Sequence, residues 1–111
     1  MNKKTKTVIG YARTAIDVKN TVFNSIEKQE KLIKNYCKKN NIELSGVLFD
    51  PAQSGLNINR PALNMLYTLA ANKKITSIVC SGPDRLSRDT ASFSDIKNLF
   101  NNDGVELIFI Y

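Results

Sequence analysis

Residues 75–90 read ITSIVCSGPDRLSRDT, an apolar run followed by a charged turn. The apolar run predicts a strand buried on both faces, because such a strand is an almost unbroken series of apolar residues. Arg85 and Arg88 follow it, three residues apart, and each has an aspartate as its neighbour. The cluster is either a solvated turn or an anion site at the mouth of the strand.

Strands and helices alternate on both sides of this stretch. β-branched and aromatic residues mark the strands, and apolar residues at helical spacing mark the helices. The predicted order is strand 5–13, helix 25–40, strand 42–50, helix 60–74, strand 75–80, helix 90–102 and strand 105–110, with loops at 14–24 and 51–59. Gly104 fits the stop of the last helix. This βαβαβαβ order predicts an α/β fold, a mostly parallel sheet of four or more strands with helices on both faces.

The composition limits the class of protein. The chain has 111 residues, 42% of them hydrophobic and 23% charged, enough for one domain with a single core. Its net charge of +6 favours a polyanionic partner, although many basic domains contact no nucleic acid. Cys37 and Cys80 form no CxxC pair and histidine is absent, which disfavours disulfides and structural zinc. No apolar run has the length of a membrane span, so we expect a cytoplasmic protein with no membrane contact.

Arginines gather where the predicted strands end. Arg13 ends the first strand, Asp50 ends the second, and Arg85 and Arg88 follow the third. Ligands of such sheets bind beyond the carboxyl ends of the strands, so the three arginines should converge at one edge. Their forked, charged donors match phosphate oxygens and can stabilise the charge of five-coordinate phosphorus. The alternative is a set of surface ion pairs, each of small energetic value.

Four motifs occur in a characteristic order. They are YAR at the end of the first strand, SIEKQ at the start of the first helix, DPAQSG followed by RPAL, and DRLSRD after the third strand. Together, from Thr7 to Ile110, they resemble the amino-terminal catalytic domain of the serine site-specific recombinases, the resolvase and invertase family. DRLSRD is the most distinctive of the four, whereas RPAL alone would carry no information.

The resemblance implies a reaction and a set of site residues. In this family a serine hydroxyl attacks a DNA phosphodiester without metal or other cofactor, joins the enzyme to the 5′ phosphate and frees a 3′ hydroxyl. Strands are then exchanged in a tetramer and the steps reverse. By resemblance, Arg13, Arg85 and Arg88 would cradle the scissile phosphate, and Asp84 would position them. Further pocket or supporting residues would be Tyr11, Gln29, Asp50, Ser54 and Arg60, although Gln29 could simply brace the first loop.

The nucleophile of the family pattern is missing. That pattern is Tyr-x-Arg-x-Ser, whereas this chain has Tyr11, Arg13 and then Ala15. Side chains alternate along a strand, so position 15 is expected on the face of Tyr11 and Arg13. The other hydroxyl residues point away or belong to other motifs: Thr14, Ser25 and Ser54. We therefore expect a chain that is inactive as a recombinase, through either an engineered substitution or natural divergence.

The resemblance also bears on partners and on completeness. Full recombinases continue into a dimerisation helix and a DNA-binding domain, so we expect residues 1–111 to be a catalytic-domain fragment. The expected partners are DNA and, in the full-length protein, further copies forming a dimer or tetramer, with weak or no self-association here.

Two other interpretations of the function stay open. One is a non-catalytic DNA- or subunit-binding module, and the other is a metal-dependent phosphoesterase using Glu27, Asp50 and Asp84. The lysines of the first helix are either a solvated face or a DNA track.

Overall fold

The computed structural model describes residues 6–13, 15–16, 22–23, 26–50, 60–87 and 90–111. The strands are β1 (Val8–Arg13), β2 (Ala15–Ile16), β3 (Val22–Phe23), β4 (Leu44–Asp50), β5 (Ser77–Cys80) and β6 (Glu106–Phe109). The helices are α1 (Ile26–Lys39), α2 (Pro61–Ala71) and α3 (Thr90–Asn102), and a 3-10 turn covers Pro83–Arg85. No helix in the described part of the chain is long and apolar enough to cross a membrane.

A parallel sheet of four strands forms the centre of the domain, in the order β4-β1-β5-β6. This confirms the predicted α/β fold and its alternation of strands and helices. The remaining strands, β2 and β3, form a separate antiparallel pair in which Ala15 lies opposite Phe23. Both lie within residues 14–24, which were predicted to be a loop. The sequence did not reveal them, because two-residue strands are too short to produce a period-two pattern.

The helices cover both faces of the sheet. On one face, Ile33 and Cys37 of α1 pack against Val8 and Val79. On the other face, Leu66 of α2 and Phe100 of α3 form a larger cluster with Tyr11, Ile78 and Cys80 of the sheet. The two cysteines are free and buried in different clusters, as expected of packing thiols, and burial raises the pKa of Cys37.

Gly10 allows α1 to approach the sheet closely. A Cβ atom at this position would lie 2.8 Å from Cγ2 of Ile33 and 3.0 Å from Cγ2 of Val47. Both distances are shorter than ordinary contacts between carbon atoms. The absence of a side chain on β1 therefore sets the distance between the first helix and the sheet.

The three helices end in the same type of turn. The residue that ends each turn has a left-handed backbone: Asn41 (φ 55°), Lys73 (φ 59°) and Gly104 (φ 77°). The next residue donates its N–H to the carbonyl five residues earlier, at 2.7 to 2.9 Å: Ile42 to Cys37, Lys74 to Leu69 and Val105 to Phe100. These are Schellman turns, and the prediction of Gly104 as the stop of the last helix is confirmed.

Lys73 occupies a left-handed position that glycine would tolerate better. The left-handed conformation costs an L-residue about 1–2 kcal/mol. Glycine avoids this cost, but its larger loss of conformational entropy on folding offsets about 0.5–1 kcal/mol of the gain. We therefore expect Lys73→Gly to raise the free energy of unfolding by about 0.5–1 kcal/mol. Thermal and urea denaturation of this variant would measure the change. Lys74→Gly is the control, because Lys74 has no positive φ. Equal destabilisation by both substitutions would contradict the prediction.

Candidate functional site

The carboxyl ends of three neighbouring strands meet at one edge of the sheet, as predicted. β1 ends at Arg13, which is paired in register with Asp50 at the end of β4. β5, on the other side of β1, leads into the 3-10 turn that carries Arg85. The parallel topology thus brings three of the predicted site residues to one place.

Arg85 and Gln29 both bind the backbone of Arg13. Nη1 of Arg85 donates a hydrogen bond of 2.8 Å to the Arg13 carbonyl. Oε1 of Gln29 accepts from the Arg13 N–H at 3.0 Å, and its Nε2 donates to the Arg13 carbonyl at 2.8 Å. Arg85 and Gln29 are 6% and 1% exposed, so these bonds form in a region of low dielectric. The contacts support the interpretation of Gln29 as a brace, because its amide fixes the end of β1.

Tyr11 and Asp50 form the centre of a second, buried network. The Tyr11 hydroxyl donates to Oδ2 of Asp50 at 2.6 Å. The same carboxylate accepts the N–H groups of Ala62 at 2.8 Å and Leu63 at 3.0 Å, in the first turn of α2. Asp50 thus acts as a remote N-terminal cap of α2. Burial and the hydrogen bond to Asp50 raise the pKa of Tyr11, although the nearby Arg60 opposes this. Tyr11 therefore remains a neutral donor.

Arg60 joins this network to the turn that holds Arg85. Its Nε and Nη2 donate to the Tyr11 hydroxyl oxygen at 3.3 and 3.0 Å. Nη2 also donates to the carbonyl of Arg85 at 2.9 Å, and Nη1 donates to the carbonyl of Leu86. One guanidinium thus connects the start of α2, the interior of β1 and the 3-10 turn. The sequence predicted Arg60 as a supporting residue but gave no signal for the two carbonyl contacts.

The other predicted site residues are described in part or not at all. Ala15 lies in β2, which pairs with β3, whereas β1 ends at Arg13 in the parallel sheet, and Thr14 between them lies outside the described residues. The orientation of position 15 towards Arg13 stays a prediction. The backbone of Asp84 lies in the 3-10 turn, but its side chain is outside what the structure describes. Two further residues lie outside the described residues altogether: Ser54 and Arg88.

The carboxylates proposed as metal ligands have different surroundings. Glu27 is exposed on α1, whereas Asp50 is buried and its two oxygens accept three hydrogen bonds. Among the residues described here, no three His, Cys, Asp or Glu side chains are close enough to hold a metal ion. Asp50 therefore acts as a helix cap, and a metal site that also uses Asp84 stays a prediction, because the Asp84 side chain lies outside what the structure describes.

Comparison with known proteins agrees with this geometry. The family described as Resolvase, N terminal domain, matches residues 8–111. The C-terminal catalytic domain of ISC1926 TnpA, an IS607-like serine recombinase, is 28% identical with a TM-score of 0.76, over 95% of this chain and 67% of that one. A serine recombinase from Sulfolobus solfataricus is 26% identical with a TM-score of 0.74, over 96% and 69% of the two chains.

A third structure shows likeness of fold alone. The N-terminal catalytic domain of TP901-1 integrase is 24% identical with a TM-score of 0.77, over 95% of this chain and 77% of that one. None of the curated proteins compared with the chain matches it. The family match covers every element from β1 to β6, and the solved structures share the parallel sheet that carries the arginines. The chain therefore belongs to the resolvase family and has the fold of serine recombinase catalytic domains.

Proposed function

We propose that this domain binds a DNA phosphodiester at the carboxyl edge of its sheet without cleaving it. The observation that carries the proposal is the contact between Arg85 and the end of β1, where Arg13 lies. Two arginines from separate parts of the chain meet at the edge where ligands of parallel sheets bind. Arg88 belongs to the same proposed clamp by its place in the DRLSRD motif.

The chemistry of the family explains what such a clamp would do. In a serine recombinase the serine hydroxyl gives up its proton as its oxygen forms a bond to phosphorus, the bond from phosphorus to the 3′ oxygen breaks, and that oxygen takes up a proton. Negative charge increases on the phosphate oxygens in between, and guanidinium groups fixed in place stabilise it. Ala15 stands where the family pattern has the serine, and its methyl group cannot attack phosphorus. The proposed domain keeps the binding part of this chemistry and lacks the attacking atom.

The buried networks support a clamp whose parts are held in place before DNA binds. Gln29 fixes the backbone of Arg13, and Arg60 fixes the carbonyls of Arg85 and Leu86. A backbone held in this way needs little rearrangement when an anion arrives, so less of the binding energy is lost to ordering the segments that carry the arginines. Tyr11 stays neutral and adds no negative charge beside the phosphate.

The proposal includes the partners and the location of the protein. DNA is the ligand, and self-association into a dimer or tetramer in the cytoplasm is the expected setting. In the first candidate the domain is a recombinase domain that has lost its nucleophile. The second candidate is a natural DNA- or subunit-binding module in which alanine at position 15 is the native residue. A serine codon at this position in the source gene would exclude that second candidate.

Arg13→Gln tests the clamp directly. If Arg13 contacts a phosphate, the substitution should weaken binding of a short labelled duplex by roughly tenfold, equivalent to about 1.4 kcal/mol. The slope of log K against log salt should become shallower by about 0.9, the effect of losing one phosphate contact. Fluorescence anisotropy across a series of salt concentrations would measure both quantities.

Lys97→Gln is the matched control for that experiment. It removes one positive charge from an exposed position on α3, away from the clamp edge. The control should change affinity by less than about twofold, since isolated surface charges contribute little. Equal losses from the two substitutions would show that net charge alone determines binding, and the proposed clamp would be wrong.

A further inference from the structure

The solvent face of α1 carries a concentration of positive charge. This 14-residue helix contains five lysines and two glutamates: Lys28, Lys31, Lys34, Lys38, Lys39, Glu27 and Glu30. All five lysines are exposed. The opposite face buries Gln29, Ile33 and Cys37 against the sheet. The basic side chains therefore all point away from the core.

The lysines are not equivalent on this face. Nζ of Lys34 lies 3.3 Å from Oε1 of Glu30, so its charge is partly neutralised at one border of the face. Lys31 and Lys38 are seven residues apart, with the exposed Asn35 between them, and they share one side of the helix. With Lys28 and Lys39 they form what we call the lysine stripe. At about 1.5 Å per residue, the stripe extends roughly 16 Å along the helix axis.

The stripe begins beside the proposed clamp. Gln29, in the first turn of α1, binds the backbone of Arg13 through both polar atoms of its amide. β1 and β4 are parallel neighbours, so the helix between them runs from the carboxyl edge of the sheet to the amino edge. DNA held by the clamp could therefore continue over the exposed face of α1.

Helix stability does not explain all of these lysines. Cations near a helix carboxyl terminus are stabilising by about 0.3–1 kcal/mol, which accounts for Lys38 and Lys39. Lys31, however, lies in the middle of the helix, outside the last turn to which this effect is confined. The second and third helices also show that a surface helix of this domain can do without such charge. α2 has no charged residue, and α3 has only Asp95 and Lys97.

We propose that the lysine stripe is a second contact surface for the DNA backbone, continuous with the clamp. The proposal rests on the proposed function, since it assumes that DNA is held at the carboxyl edge of the sheet. Lysine binds phosphate as a point charge and reads no sequence, so the stripe contributes affinity without specificity. A stripe of roughly 16 Å matches the axial rise of about five nucleotides of one DNA strand, at 3.4 Å each. The stripe therefore tracks the strand that leaves the clamp.

The test compares two triple variants with the same change in net charge. One is Lys31→Gln, Lys38→Gln and Lys39→Gln together, and the control is Lys73→Gln, Lys74→Gln and Lys97→Gln together. All six lysines are exposed. Binding of a short labelled duplex would be measured from low to moderate salt, and thermal denaturation would verify that each variant is folded.

The stripe triple should bind DNA at least tenfold more weakly, with a salt slope shallower by about two to three, because counterions of up to three phosphates are no longer released. The control triple should lose less than about threefold in affinity. Replacing the same three stripe lysines by arginine should preserve the slope, because positive charge is retained.

The possible outcomes separate the stripe from the clamp. Equal losses in the two triples would overturn the stripe and leave the clamp to be judged by Arg13→Gln. If the stripe triple lost affinity for anionic lipid vesicles but kept its affinity for DNA, the surface would be a membrane contact and the proposal would be wrong. Failure of the unmodified domain to bind DNA at any salt concentration would overturn the stripe and the proposed function together.

Discussion

Ala15→Ser in the complete protein should produce a covalent protein–DNA adduct that the alanine form does not produce. The clamp residues, the brace at Gln29 and the network around Tyr11 are present, and the family pattern assigns the nucleophile to position 15. A hydroxyl there would supply the one atom that the proposed site lacks. Loss of a nucleophile in covalent catalysis costs on the order of a million-fold in rate, so the gain should be large and easy to detect.

The adduct can be detected on a denaturing gel with labelled cognate DNA. It should migrate slowly, disappear after protease treatment, carry the protein on a 5′ DNA end, and form in the presence of a chelator. The assay uses a protein in which this domain is joined to a dimerisation helix and a DNA-binding domain, so that the labelled DNA is brought to the site. The double substitution Ala15→Ser with Arg13→Gln is the control, and it should form far less adduct because the phosphate loses a charge partner.

Two results would contradict the assignment of position 15. In the first, the serine variant binds and synapses its DNA but forms no adduct, which would place the nucleophile elsewhere. In the second, the alanine protein already forms an adduct. Another hydroxyl would then be the attacking group, and Thr14 and Ser25 would be the next residues to substitute.

The sequence predicted the elements that carry the site because each has a strong local pattern. The apolar run before Arg85 and the alternation of strands and helices were enough to bring Arg13, Asp50 and Arg85 to one edge of a parallel sheet. Motif order added Gln29 and Tyr11 to the same region. The placement at the strand ends needed only periodicity and the geometry of parallel sheets, which depend little on the details of packing, whereas Gln29 and Tyr11 came from the family resemblance.

The hydrogen bonds that hold the site together could not be predicted in the same way. Asp50 caps a helix that begins eleven residues later, and Arg60 donates to carbonyls 25 and 26 residues away. Such contacts depend on the path of the loops between the elements, and no periodic pattern in the sequence predicts that path. The pairing of Ala15 with Phe23 in a separate two-stranded sheet is of the same kind, because it depends on a contact between two segments and not on a local pattern. Local patterns determined the frame, and tertiary contacts determined the network.

Asp50→Asn should be the most destabilising single substitution in the site, with a loss of about 3 kcal/mol in the free energy of unfolding. The carboxylate accepts bonds from the Tyr11 hydroxyl and from the N–H groups of Ala62 and Leu63. An amide has only one acceptor oxygen, so its NH₂ group would face at least one donor in a site that is 1% exposed. Domains of this size have a total stability of roughly 5–15 kcal/mol, so such a loss would be a large fraction of it.

Tyr11→Phe separates the parts of this network. Removing the hydroxyl leaves Asp50 with its two backbone donors and leaves Arg60 with its two carbonyl acceptors, so the loss should be only about 1–1.5 kcal/mol. In the Asp50→Asn background the same change should cost much less, because the bond between the two side chains is already lost. Urea denaturation of the two single variants and the double variant would give the coupling energy. If Asp50 served only as a ligand for metal or substrate, Asp50→Asn would leave the unfolding midpoint unchanged and would alter only binding. Full stability of that variant would therefore show that Asp50 is not the structural cap of α2.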